Sequence, residues 1–290
     1  MARNAEAETA FNTMLLAAIE QNEPPARRLV DDDLALAFLP TRVRPLVWAT
    51  RPRVLRRTLV AALDAAGPGL WSNLCCRKRF IDDRLAEALP GIDAVVILGA
   101  GLDTRGYRLA RHSDIGVFEV DQQVNIARKA ATVRRALGSQ PPSVRLVPID
   151  FERDDLFTEL AKAGYRTDSR TFFVWEGVTQ YLTPDAVRTT LSSLQAAAPG
   201  SRLVFTYVRQ DFIDGTEMYG APTLYRRFRK RRQVWKSGMW PDQVSALLGE
   251  FGWRLVEHIG PDDLLDRYVR PAGRDLGASQ IEWSAYAEKP

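Results

Sequence analysis

A chain of 290 residues, 46% of them hydrophobic, can bury one large core with an accessory layer, which sets aside a disordered or fibrous protein. Its 40 basic and 36 acidic side chains leave a net charge of +4, a small excess spread over many charges and only a weak pointer to an anionic ligand. Cys75 and Cys76 are adjacent and His112 and His258 lie far apart, so neither a stabilising disulfide loop nor a metal-ligand spacing is expected.

Residues 1–21 carry an apolar stripe, Phe11, Met14, Leu15, Ala18 and Ile19, which reads as an amphipathic helix packed on the body rather than a signal peptide. No stretch approaches the roughly 20 apolar residues of a membrane span, so a soluble, cytoplasmic chain is expected, with no membrane partner. Helical periodicity continues through residues 34–39 and 54–63, broken by Pro40, Pro45, Pro52 and Pro68. Residues 1–89 are therefore expected to form a helical extension, followed from residue 90 by a different kind of chain.

After Pro90-Gly91, residues 94–98 are a continuous apolar run closed by Gly99, as suits a strand buried on both faces. Similar runs at 116–120, 144–149, 171–175 and 203–208 alternate with helical stretches such as 125–137 and 184–197, the signature of βαβ units and a parallel sheet. Pro184 after Thr183 is a favourable helix start. Two late strands, 253–258 and 281–288, are joined by too few residues for a full crossover with a long helix, and are expected to pair antiparallel. Between the fifth strand and a helix starting near Pro241, residues 210–240 form an insertion. Within it, residues 226–232 are charged except for Phe228; a solvated helix face is the favoured reading, ahead of an anion-facing rim and of a nucleic-acid contact.

The residues that carry chemistry stand at strand ends. Leu98-Gly99-Ala100-Gly101-Leu102-Asp103-Thr104 runs a buried strand into a glycine turn that opens a helix, where backbone can approach a ligand closely. A dinucleotide site would want a third glycine at Thr104, and Asp103 would repel a pyrophosphate. An acidic residue there suits a ligand with a positive end, such as the amino group of a methionyl moiety. About 20 residues on, Asp121 can accept two hydrogen bonds from a ribose diol; Asp150 with Phe151 can hold an adenine amino group and face. Asp121 and Asp150 can each also be read as a helix cap. Glu176, in Trp175-Glu176-Gly177 at the fourth strand tip, can orient a sulfonium cofactor through its ammonium group, with a general base as the alternative.

The strings Leu98-Gly99-Ala100-Gly101-Leu102-Asp103-Thr104-Arg105, Phe118-Glu119-Val120-Asp121-Gln122, Trp175-Glu176-Gly177 with Tyr181-Leu182, and Cys76-Arg77-Lys78-Arg79-Phe80-Ile81-Asp82-Asp83 resemble the leucine carboxyl methyltransferase family, in its bacterial branch of S-adenosyl-L-methionine-dependent methyltransferases. The likeness runs in order over roughly residues 30–285. It implies a Rossmann-like α/β fold of class I methyltransferase type: a seven-stranded sheet, mostly parallel with the last strand antiparallel, an N-terminal helical extension (1–89), a catalytic domain (90–290) and a helical lid insertion (210–240).

By the same resemblance, S-adenosyl-L-methionine is the cofactor. Arg77 grips its carboxylate, Gly99 and Gly101 form the turn against its methionyl backbone, Asp121 binds the ribose, Asp150 and Phe151 the adenine, and Glu176 is the strand-four carboxylate. Departures from the family pattern are Gln123 and Phe151, where proline and leucine are common, and Cys76 in place of alanine. Glu176 and Tyr181 are the candidate catalytic residues, and no metal is expected. The activity implied is O-methylation of a carboxylate of a small molecule or peptide, with Arg105, Arg209, Tyr181, Tyr207 and the 226–232 segment as candidate acceptor partners. A nucleic-acid methyltransferase on the same fold and a non-catalytic cofactor-binding homologue are the rival readings. Monomer and homodimer remain open.

Overall fold

The computed structural model describes residues 2–150, 153–231 and 234–290. The apolar runs after residue 93 form β1 (Ala94–Leu98), β2 (Gly116–Asp121), β3 (Val144–Pro148), β4 (Thr171–Trp175), β5 (Arg202–Val208), β6 (Arg254–Ile259) and β7 (Glu282–Glu288). Every residue of β1 and β4 is buried, because helices cover both faces and leave no solvated side on which a polar residue would be stable. The strands form one sheet in the order β3-β2-β1-β4-β5-β7-β6. Neighbours among β1 to β5 are parallel, and β7 runs antiparallel to both β5 and β6.

Among the five parallel strands this order puts β1 at the centre, with the chain progressing outward to β2 and β3 on one side and to β4 and β5 on the other. At such a reversal the connections leave in opposite directions and a crevice opens beyond the carboxyl ends of the strands. The expected antiparallel pairing of the two late strands is present. Their connection, residues 260–281, holds two single helical turns, Pro261–Leu264 and Leu265–Val269, and no long helix.

Two cores lie on the two faces of the sheet. One gathers Met14, Ala18, Ile19, Phe38, Trp71, Phe80 and Ile81 from the helical N-terminal region against Val95, Ile97 and Val174. The other packs Phe157, Leu160, Val187, Leu191 and Trp253 against Val96, Phe173 and Phe205. The first helix, Ala2–Glu20, buries Met14, Ala18 and Ile19 of the expected stripe. Its last residue, Glu20, accepts hydrogen bonds from Trp71 Nε1 (3.0 Å), Leu29 N (2.9 Å) and Arg274 Nη1 (2.7 Å), which fastens it both to the next long helix and to the C-terminal segment.

That next helix, Leu70–Ala88, lies on the same face and carries Arg77 as well as Cys75 and Cys76, both buried free thiols. The helix over Pro184–Ser193 begins where proline marks it, with Thr183 Oγ1 accepting from Ala186 N at 3.2 Å. The 210–240 insertion builds a third cluster, Phe212, Tyr225, Phe228, Val234 and Trp235, joined by Tyr181 and Val208. Among the described residues, no helix is long and apolar enough to cross a membrane.

Candidate functional site

At the carboxyl end of β1 the chain turns sharply. Gly99 sits at φ +70°, and a Cβ there would fall 2.4 Å from Val178 Cγ2, so only glycine permits this approach between the β1 and β4 tips. The turn is pinned to β2: Gly99 N and Ala100 N both donate to Val120 O (2.8 and 3.0 Å), and Gly101 N donates to Asp121 Oδ2 (2.7 Å). The other oxygen of Asp121 accepts from Gln122 N (2.7 Å) and Asn125 Nδ2 (2.8 Å). Asp121 thus joins the glycine turn to the first turn of the Gln123–Leu137 helix. Gly99, Gly101 and Asp121 come together as the sequence implied.

Arg77 and Glu176 also meet, across 99 residues of chain. Arg77 Nε donates to Glu176 Oε1 at 3.0 Å, and Arg77 Nη1 is bonded to Glu282 Oε2 on β7. Gly177, at φ +67°, follows Glu176; a Cβ on it would lie 3.2 Å from Arg77 Nη2. The second oxygen of Glu176 accepts from Arg105 Nη1 at 2.6 Å, and that guanidinium reaches Asp82 Oδ1 and Asp103 Oδ2 too.

One cation therefore neutralises carboxylates from three elements: the Leu70–Ala88 helix, the glycine turn and the β4 tip. Burial pushes the carboxyl groups of Glu176 and Asp103 up, but Arg105 and Lys78, with Arg77 beside Glu176 and Lys129 beside Asp103, overcome it. Glu176 is held down to about 2. Both carboxylates are ionised at neutral pH.

Other residues are placed differently. Asp150 follows β3 in an exposed turn, its backbone N–H donating to Asp154 Oδ2 at 2.8 Å; Asp155, not Asp150, caps the next helix by accepting from Thr158 N. Phe151 lies outside the described residues. Tyr181 is buried in the turn Thr179–Tyr181 and packs with the insertion.

Arg105, read from sequence as a possible acceptor ligand, is the buried hub of the ion cluster, with a side chain 1% exposed. Tyr207 is turned to the opposite sheet face, where its hydroxyl and His258 Nε2 stand 2.6 Å apart; strand alternation sends it there with Leu203 and Phe205. Arg209 pairs with Asp211 (2.6 Å) and lies over Tyr219 and Trp283. In the charged segment, Arg226 and Arg227 are exposed, but Arg229 donates to Ile213 O (2.9 Å) and Trp235 O (3.0 Å), so it braces the insertion.

The chain sequence matches the family model for leucine carboxyl methyltransferase over residues 10–195. This chain belongs to that family. A relative from Mycolicibacterium vanbaalenii is 35% identical over 300 residues, covering 93% of this chain and 92% of its own length. Another, from Mycobacterium bovis, is 31% identical over 269 residues, covering 84% and 82%. Both carry names that assign S-adenosyl-L-methionine-dependent methyl transfer.

Among solved structures, one from Thermobifida fusca described as a methyltransferase superposes with a TM-score of 0.59 at 19% identity, covering 80% of this chain and 87% of that one. A DUF574-family protein from Streptomyces avermitilis gives 0.54 at 16% identity, covering 81% and 91%. These two resemble it in fold.

Within the family frame, several groups around the glycine turn went unnoticed in sequence. Glu119, in the middle of β2, accepts from Lys129 Nζ (3.0 Å) and Tyr107 Oη (2.9 Å) with no exposed surface. A glutamate inside an otherwise apolar strand was the signal, since a buried carboxylate needs a partner. Glu282 could not have been found that way, because it stands at a strand start where a charge is ordinary.

Proposed function

We propose that this chain transfers a methyl group from S-adenosyl-L-methionine to a carboxylate of a small molecule or peptide, forming a methyl ester. The observation that carries the reading is the pairing of Arg77 with Glu176 at the β4 tip, on the same crevice edge as the Gly99 turn and Asp121. The donor set suits the cofactor: an amino-acid end needs one cation and one anion side by side, and a ribose diol needs a carboxylate acceptor.

When bound, S-adenosyl-L-methionine would supply a sulfonium methyl whose carbon an ionised carboxylate can attack in line, forming the O–CH3 bond as the S–CH3 bond breaks and S-adenosylhomocysteine leaves as a neutral thioether, with no proton moved. In this reading Arg77 holds the cofactor carboxylate, exchanging one of its present partners. Glu176, kept ionised by Arg105, holds the ammonium; Asp121 holds the ribose, and Asp150 with Phe151 the adenine.

Tyr181 lies between the β4 tip and the insertion and orients the acceptor. No general base is required, because a carboxylate is already charged near neutral pH. The structure's histidine closest to a strand tip, His258, is engaged with Tyr207 and held below its usual range by burial. The helical extension, residues 1–89, and the 210–240 insertion frame the acceptor. In support, Ala10 Cβ on the first helix is 3.5 Å from the position a Cβ on Gly101 would take, so this helix roofs the turn.

The test uses methyl-labelled cofactor with a panel of small carboxylic acids and peptides. Label transferred to product and released as methanol by mild alkali is the expected result. Label that survives alkali would place the methyl on nitrogen or a hydroxyl and overturn the carboxylate assignment.

A further inference from the structure

Beneath the glycine turn lies a closed polar group that the proposed reaction does not use. The turn residues Ala100 and Asp103 are linked by Asp103 N donating to Ala100 O at 2.7 Å. Lys129, from the helix after β2, places its ammonium against the carbonyls of both these residues, Asp103 O at 2.7 Å and Ala100 O at 3.3 Å, and against Glu119 Oε1 at 3.0 Å.

An ammonium has three N–H groups, and here each has an acceptor. Glu119 in turn accepts from Tyr107 Oη on its other oxygen. Lys129 is 1% exposed and Glu119 not exposed at all, so water cannot substitute for either. A buried ion pair of this kind is a poor way to add stability, because desolvating both charges costs nearly as much as their attraction returns.

What the pair does have is a location. The ammonium spans the first and last carbonyls of the turn that leads from the β1 tip into the next helix, and it is the only contact among the described hydrogen bonds that grips both carbonyls at once. We infer that Lys129 is a positioning residue for cofactor binding: its ammonium clamps the Ala100–Asp103 turn in the shape that receives the methionyl end, and Glu119 supplies the acceptor for its third N–H. The inference rests on the cofactor reading above and deepens it.

If this is so, removing the cation and removing its counter-ion have different consequences. Glu119→Gln keeps an ammonium on both carbonyls. Lys129→Met removes the clamp and strands a buried carboxylate. The double variant, Lys129→Met with Glu119→Gln, removes the clamp but leaves no unpaired charge, so a purely structural role predicts that it recovers.

The experiment is calorimetric titration of S-adenosylhomocysteine into the full chain and these three variants, with the melting temperature of each measured without ligand. Lys129→Met is expected to lose affinity at least about tenfold and to melt lower. The double variant is expected to regain most of the melting temperature yet remain at least about fivefold weaker in affinity, while Glu119→Gln stays within about twofold of the parent in affinity. Should Lys129→Met alone fail to fold, the double variant still decides. A double variant that recovers both melting temperature and affinity would show a structural pair only, and overturn the inference. If the unaltered chain takes up no S-adenosylhomocysteine, the cofactor reading itself has failed and the inference falls with it.

Discussion

Over the tips of β1, β2 and β4 the side chains are charged: Arg77, Arg105, Asp103 and Glu176 form one connected set of ion pairs, with Asp121 beside it on the backbone of the glycine turn. Beyond the tip of β5 they are aromatic: Phe228 stacks on Trp235 with ring centroids 4.7 Å apart, and Phe212 meets Tyr225 edge-on at 5.7 Å. The two halves of this sheet edge therefore obey different physics. Apolar packing tolerates changes of shape provided volume is kept, so the insertion can differ between acceptors without loss of the fold. A buried charge cannot lose its partner without a large cost, so the other half is suited to one ligand with one fixed pattern of charge.

The largest expected effect tests this contrast in the apo protein. Arg105→Met leaves Asp103 without its ion pair and takes one of two guanidinium partners from Asp82, which keeps Arg108, and from Glu176, which keeps Arg77, and should cost about 3 to 5 kcal/mol in urea unfolding. Arg209→Met, at the edge of the aromatic half where the arginine side chain is 21% exposed, should cost no more than about 1 kcal/mol. Equal losses would erase the distinction.

Next comes ligand affinity. Asp121→Ala removes the acceptor of Gly101 N–H together with the proposed ribose ligand, and should weaken cofactor binding by about 1 to 3 kcal/mol. Trp235→Ala, which opens the stacked pair, should leave cofactor affinity unchanged in the same titration even though it lowers stability. If Trp235→Ala weakens the cofactor as much as Asp121→Ala does, the halves are not separable.

The smallest effect is a slope. Burial, opposed by Lys129, raises the carboxyl of Glu119 from 4.5 to about 7. The folded chain therefore retains a proton between those pH values that the unfolded chain releases. Stability from this group is complete below pH 4.5 and falls as pH rises to about 7, at no more than about 1.4 kcal/mol per pH unit. Glu119→Gln should flatten that stretch of the stability–pH curve; an unchanged slope would mean that Glu119 is ionised throughout it.

Much of this architecture was legible in the sequence because its strands are buried on both faces. A run such as Ala94-Val95-Val96-Ile97-Leu98 admits no polar residue, and the glycine after it marks where the strand stops. Asp121 and Glu176 were legible too, since a carboxylate that ends an apolar strand stands out.

The misreadings have different causes. Arg105 is a hub because Asp82, Asp103 and Glu176 converge on it from three separate elements, and no local pattern encodes that convergence. Tyr207 was within reach: counting alternate residues from Phe205 puts both on one face, away from the face covered by the helix carrying Arg77. Lys129 and Glu119 are ten residues apart, and only the packing of a helix against its own strand brings them under the glycine turn.

In the proposed function the charged half of the sheet edge receives a sulfonium cofactor and not a dinucleotide. Calorimetric titration of the unaltered chain with S-adenosyl-L-methionine and, separately, with NAD measures this directly. One saturable site for S-adenosyl-L-methionine and no heat of binding for NAD is the predicted result; saturable binding of NAD with none for S-adenosyl-L-methionine would contradict it.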